Sequence, residues 1–203
     1  MASSTSAYYE HHAQQFFDDT IAVDMSPLYA RFLRWVPKKG SILDAGCGSG
    51  RDMLAFHKLG YEVTAFDASP MLADLAANYC GFPVAVMRFQ DIQWQEQFDG
   101  IWACASLLHV PAVELPDVLM RMATALRPQG VLYASFKYGQ GERDHYGRRF
   151  TDLDETGLAA LLQEVQGLKE IQTWITTDVR PGRATESWLN TLLVATPRPC
   201  RST

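Results

Sequence analysis

The stretch ILDAGCGSGRD (42–52) constrains the fold more than any other part of the chain. A short apolar run feeds Gly46, Gly48 and Gly50, and a helical pattern follows. Glycine tolerates left-handed backbone and carries no side chain, so such a loop can turn sharply and approach a ligand closely. A strand that ends in this turn and leads into a helix is one unit of a parallel sheet covered by helices. Spacing argues against two common uses of such loops. A G-x-G-x-x-G dinucleotide loop needs glycine at position 51, where Arg51 stands, and a G-x-x-x-x-G-K-[ST] phosphate loop needs a lysine and a hydroxyl that are missing. NAD and ATP both lose ground.

The remaining pattern repeats that unit. Apolar runs at 41–45, 62–66, 84–87, 100–104 and 131–136 read as strands with both faces covered. Helices are expected at 51–59, 70–79, 112–127 and 154–165, the third stopped by LRPQG (126–130). The runs at 171–177 and 188–196 follow one another without a helix, which predicts an antiparallel hairpin at the end of the sheet. Ser26-Pro27 and Ser69-Pro70 each read as a capping hydroxyl before a proline in the first turn. After the first of these, Met25, Leu28, Tyr29, Phe32, Trp35 and Val36 make one apolar helix face. A single α/β domain over 1–203 is expected, with residues 7–36 as N-terminal helices over the site and 1–6 and 197–203 fraying.

Charge narrows the partners. Lys and Arg number 18 against 23 Asp and Glu, a net charge of −5, which argues against a mostly basic nucleic-acid binder. There is no apolar run long enough to span a membrane, and the opening MASSTSA lacks a basic start and an apolar centre. Cys47, Cys80, Cys104 and Cys200 have no C-x-x-C spacing, so free thiols in a cytoplasmic protein are expected and no metal site.

Asp67 closes the second strand, in VTAFDAS (63–69), where a carboxylate can accept hydrogen bonds from both ribose hydroxyls of an adenosine. Asp91, in FQDI (89–92), follows the third strand within reach of an adenine amino group. With DAGCGSG, FDGIWACASLLHVP (98–111) and LRPQGVLYASF (126–136), these residues make the chain resemble the class I S-adenosylmethionine-dependent methyltransferases over roughly 8–196. Within them it is similar to small bacterial enzymes acting on small molecules, tellurite-resistance methyltransferases included. The resemblance implies a Rossmann-like sheet and S-adenosylmethionine as cofactor. It implies that Gly46 and Gly48 pass under the methionine part and that Asp44 orients the loop. It further implies that Asp67, with Ala68 beside it, holds the ribose and that Asp91 and Ile92 meet the adenine. Cys104 would lie beside the reactive methyl, Arg51 would meet the methionine carboxylate, and Tyr9 would cover the site.

His109, just beyond the fourth strand, is the candidate general base, should the acceptor have a proton to lose. A pocket-lining role is the other reading of that residue. The segment KYGQGERDHYGRR (137–149) carries four Lys or Arg against two acids, and DVRPGR (178–183) two against one. Both follow strands expected to run parallel and so open at the ligand-binding edge. Lys137, Tyr138, Arg143, Arg180 and Arg183 are therefore expected to form a rim for a small anionic acceptor. Two alternatives remain at this stage: an RNA methyltransferase using the basic segments, and a regulatory protein that binds S-adenosylmethionine without turnover.

Overall fold

The computed structural model describes residues 4–180 and 185–196. Two helices, α1 (Ser4–Thr20) and α2 (Ser26–Leu33), precede β1 (Ser41–Ala45), α3 (Arg51–Lys58), β2 (Glu62–Asp67), α4 (Pro70–Cys80) and β3 (Ala85–Val86). There follow β4 (Phe98–Ala103), α5 (Leu115–Ala125), β5 (Leu126–Lys137), β6 (Gly141–His145), β7 (Arg148–Asp152), α6 (Glu155–Glu164), β8 (Leu168–Thr177) and β9 (Ser187–Ala195). The main sheet has seven strands in the order β3-β2-β1-β4-β5-β9-β8. Strands β1 to β5 pair in parallel, and β9 runs antiparallel between β5 and β8. Strand β8 therefore points the same way as β5, and its C-terminal end opens at the same edge. This is the expected architecture, terminal hairpin included.

The sheet is buried on both faces, which is why its central strands read as apolar runs. On one face Leu43, Phe66, Ile101 and Leu132 pack under α5. On the other, Phe32, Phe56, Trp102 and Tyr133 form an aromatic layer in which the Trp102 and Tyr133 rings stack at 4.0 Å. Helix α2 contributes Tyr29 and Phe32 to that layer, while Trp35, expected on the same face, is 50% exposed.

Local chemistry explains where the expectations held and where they failed. The Ser69 hydroxyl caps α4 by accepting from the Leu72 N–H, with Pro70 behind it. Ser26 does not cap α2: it is the first helical residue, and its own N–H donates to the Asp24 carboxylate instead. The helix expected over 112–127 is a 3-10 turn (Ala112–Glu114) followed by α5, which ends before LRPQG, where Gln129 has φ +67°. The largest departure is β6 and β7. The stretch 137–149 is not a loop but runs into a hairpin turned by Tyr146 and Gly147 at φ +48° and +75°. Positive φ at both central residues is the signature of the tight turn whose twist matches that of two antiparallel strands. The expected fraying of 1–3 and 197–203 falls outside the described residues, although α1 already begins at Ser4.

Candidate active site

The C-terminal ends of β1, β2, β4, β5 and β8 surround a cleft of about 1290 Å³, which α1 and the β6–β7 hairpin overhang. Its floor is the glycine loop. Gly46, Gly48 and Gly50 have φ of +76°, +55° and +78°, and a Cβ on Gly46 would stand 2.6 Å from the Ser106 Cβ. Only glycine lets the chain pass here. Helix α1 is tied across this floor: the Thr20 and Ser49 hydroxyls are hydrogen-bonded at 3.1 Å, Ser69 Oγ donates to Glu10, and the Arg149 N–H donates to Thr5 Oγ1.

Asp67 ends β2 on the cleft wall. Its carboxylate accepts the Gly48 and Ser69 N–H groups, both at 2.9 Å, so it locks the loop with lone-pair capacity to spare. Burial raises its pKa against the pull of the Ser69, Gly48 and Ala68 N–H groups. Arg51 grips Asp52 with Nε at 2.6 Å and one Nη at 2.9 Å. Asp52 also accepts from the Tyr29 hydroxyl and from Trp102 Nε1. Burial opposes the charge of Asp52, yet Arg51, Tyr29 and Trp102 hold its pKa low. Arg51 lines the cleft as expected, but its guanidinium is engaged inside the fold. Asp44 does not line the cleft; it is buried behind the loop, and its Oδ2 has no hydrogen-bond partner. Burial and the Asp52 charge push its pKa well up.

Tyr9 and His109 meet on the opposite wall. His109 Nδ1 lies 2.7 Å from the Arg149 carbonyl, which can only accept, so Nδ1 carries the proton. Nε2 is then the acceptor for the Tyr9 hydroxyl at 2.9 Å. Burial, with Arg148 nearby, brings the His109 pKa down to about 4, so the ring is neutral at neutral pH. Both ring nitrogens are occupied. Cys104 lines the cleft, and its thiol is pushed up to about 12 by burial and by the charge of Asp52; it is no thiolate at neutral pH.

The basic rim differs most from expectation. Lys137, Tyr138, Arg143 and Arg180 all line the cleft, but the three charges among them already have carboxylate partners. Arg180 clasps Asp178 through Nε and Nη, Lys137 bonds Asp178 and Glu186, and Arg143 bonds Asp152. Tyr138 donates to Glu155. Strand β9 separates β5 from β8, so the two segments do not leave neighbouring strands; they are joined instead by the Lys137–Asp178 pair. Arg183 lies outside the described residues.

Asp91 and Ile92 do not line the cleft. Asp91 pairs with Arg88 in a 3-10 turn and Ile92 is buried, while Phe89 and Gln90 from the same turn stand on the wall in their place. Nothing in FQDI marks which of its residues would turn inward. Ser106, at the end of the segment that follows β4, and Arg148, one of the four basic residues of 137–149, also stand on the wall. Cys47, Cys80 and Cys104 are free and Cys200 lies outside the described residues, among which no metal-holding cluster occurs. No helix there is long and apolar enough to cross a membrane.

Comparison with known proteins finds the same fold. Residues 42–130 match the family described as "Methyltransferase domain". YqeM of Bacillus subtilis (strain 168), a provisionally named methyltransferase, is 25% identical over 158 residues, 70% of this chain and 62% of its own length. The alignment thus spans less than two thirds of that relative. The 1,6-didemethyltoxoflavin-N1-methyltransferase of Burkholderia thailandensis, solved with its substrate and S-adenosylhomocysteine, superposes with a TM-score of 0.75. The two are 24% identical, and the match covers 94% of this chain and 85% of that one. The [4+2]-cyclase SpnF superposes at 0.73, with 13% identity and 98% of each chain covered.

Proposed function

We propose that this chain, which matches a methyltransferase domain over residues 42–130 and shares the fold of the class I S-adenosylmethionine-dependent methyltransferases, transfers a methyl group from S-adenosylmethionine to a small, anionic acceptor. The observation that carries the reading is the Gly46–Gly50 floor locked by Asp67. It leaves a backbone surface that a side chain would block, beside a carboxylate with lone pairs to spare for a ribose diol. In this reading Gly46, Gly48, Asp67 and Ala68 hold the cofactor, with Phe89 and Gln90 at its adenine end. Asp44 acts from behind the loop, and Arg51 acts by fixing Asp52.

When bound, S-adenosylmethionine supplies a methyl carbon activated by its sulfonium. The chain's own tasks are to align an acceptor and to exclude water. Tyr9 and α1 roof the cleft and serve both ends. His109 acts through Tyr9: by accepting the hydroxyl's hydrogen bond it turns the phenol so that the oxygen's lone pairs face away from the ring, toward Arg148. It is a positioning residue here, and an acceptor that arrives ionised needs no base.

Calorimetry decides the cofactor. S-adenosylhomocysteine should bind the full chain, and NAD and ATP should not. Incubating the protein with a small-molecule extract and isotopically methyl-labelled S-adenosylmethionine should then label one compound, identified by mass spectrometry. Because SpnF shares the fold and is a cyclase, binding of S-adenosylhomocysteine with no labelled product would favour a function without methyl transfer.

A further inference from the structure

The basic side chains of the acceptor wall fall into two kinds. Lys137, Arg143, Arg149 and Arg180 each have a carboxylate within ion-pair distance, the longest of these contacts being Arg149 to Asp144 at 3.8 Å. Arg148 lines the same cleft, and among the described residues no carboxylate reaches it. Its Nε–H is buried without a hydrogen-bond partner. What flanks it is aromatic: the guanidinium carbon lies 4.5 Å from the Tyr8 ring centre and 5.1 Å from that of Phe150. Ring faces attract a cation without using up its in-plane donors.

The backbone holds this side chain in place. Arg148 opens β7 directly after the Tyr146-Gly147 turn. The next residue is tied on both sides, its N–H to Thr5 Oγ1 at 2.9 Å and its carbonyl to His109 Nδ1 at 2.7 Å. Arg148 acts on both members of the Tyr9–His109 pair: its charge disfavours a protonated His109, and it favours ionised Tyr9 through its charge and a side-chain hydrogen bond.

We infer that Arg148 seats a carboxylate carried by the methyl acceptor, beside the Tyr9–His109 pair. The inference rests on the proposed methyl transfer only for the word acceptor. A guanidinium offers two parallel donors that match a carboxylate. A phosphate dianion calls for more positive charge than this one side chain supplies, because the cations around it are already paired.

The test is calorimetric titration of the full chain with benzoate and, separately, inorganic phosphate, each with and without S-adenosylhomocysteine. Benzoate should bind, and Arg148→Ala should weaken it about tenfold or more. Arg148→Lys should fall between the two, and Arg180→Ala should stay within about twofold of the parent, its charge being paired already. S-adenosylhomocysteine affinity should be the same in all four proteins. Should Arg148→Ala fail to fold by circular dichroism, Arg148→Lys carries the comparison with the same sign. Equal benzoate affinity in parent and Arg148 variants, no benzoate binding by the parent, or phosphate bound as tightly through Arg148 would each overturn the inference. Loss of benzoate binding in the Arg148 variants, in a protein that does not bind S-adenosylhomocysteine, would uphold the seat and overturn the methyltransferase reading instead.

Discussion

The two walls of the cleft are built differently. The glycine-loop wall is made by backbone: three left-handed glycines, and a carboxylate that joins the Gly48 N–H of the loop to the Ser69 N–H beyond β2. The acceptor wall is made by paired side chains, where Lys137 of β5 meets Asp178 beyond β8 and Arg143 of β6 meets Asp152 of β7. The first is set by three glycines two positions apart and by a carboxylate at the end of the next strand. The second exists only once the chain has folded. Composition alone describes that wall as a patch of positive charge, whereas in the fold most of the charge is neutralised internally and the surplus rests on Arg148.

If the contrast is right, the largest effects belong to the backbone-built wall. Gly46→Ala puts a side chain at φ +76° and 2.6 Å from the Ser106 Cβ. Left-handed strain and overpacking together should cost about 3 kcal/mol of stability in urea denaturation and abolish S-adenosylhomocysteine binding in calorimetry. A Gly46→Ala protein that binds normally would show that the loop is not the floor of the site. Next comes Asp67→Ala, which removes the carboxylate and frees the Gly48 N–H. S-adenosylmethionine affinity should fall by about 1.5–3 kcal/mol, and unchanged affinity would take Asp67 out of the site.

On the opposite wall stands His109, where effects should be moderate and pH-dependent. Its folded pKa, about 4, lies below the ordinary 6.5, so the unfolded chain takes up the proton first as pH falls. Its contribution is therefore complete above the ordinary value and is lost as pH drops from there toward the folded one. Going from about pH 7.5 to about pH 5 should remove about 2 kcal/mol from the parent that His109→Gln does not lose. Denaturant titrations at the two pH values measure the difference, and parallel losses would show the ring to be solvated. For turnover, a positioning role predicts that His109→Gln and Tyr9→Phe each lower kcat by less than about tenfold, with the double variant no worse than either. A drop of about 10²–10⁴-fold in His109→Gln would make it the general base.

The same contrast explains what could be read from the sequence. The sheet, its parallel run and the hairpin of β8 and β9 follow from apolar runs and turn residues, which are local. The roles proposed for Gly46, Gly48 and Asp67 follow from their positions at strand ends. Asp91 and Ile92 are different: whether Asp91 or Phe89 turns into the cleft depends on the pairing of Asp91 with Arg88, which the spacing does not encode. The β6–β7 hairpin was hidden because its strands, GERDH and RRFTD, are rich in charge, and one of them is fully exposed. The Tyr146-Gly147 pair was its one local sign.

The smallest effect is expected where the sequence promised the most specific one, at Arg180. Its guanidinium clasps Asp178 in a pair whose side chains are 23% and 3% exposed. Removing it in Arg180→Ala leaves Asp178 with Lys137 and Trp188 Nε1, both at 3.2 Å, so no carboxylate is orphaned. Stability should fall by about 1 kcal/mol, a modest value because the arginine is partly solvated. The acceptor's KM should change by less than about twofold, since no free charge is lost from the wall. The pH dependence supplies an independent check. Burial raises the Asp178 pKa, but the bonds from Arg180 and Lys137 overcome it and hold the carboxyl below its ordinary value. That stabilisation is complete above the ordinary carboxylate pKa and is lost as pH falls toward the folded one. Parent and variant should therefore differ most near neutral pH and converge in acid. A gap that widens in acid would show that the pair does not hold Asp178 ionised, and a tenfold rise in acceptor KM with the cofactor's KM unchanged would make Arg180 a ligand of the acceptor after all.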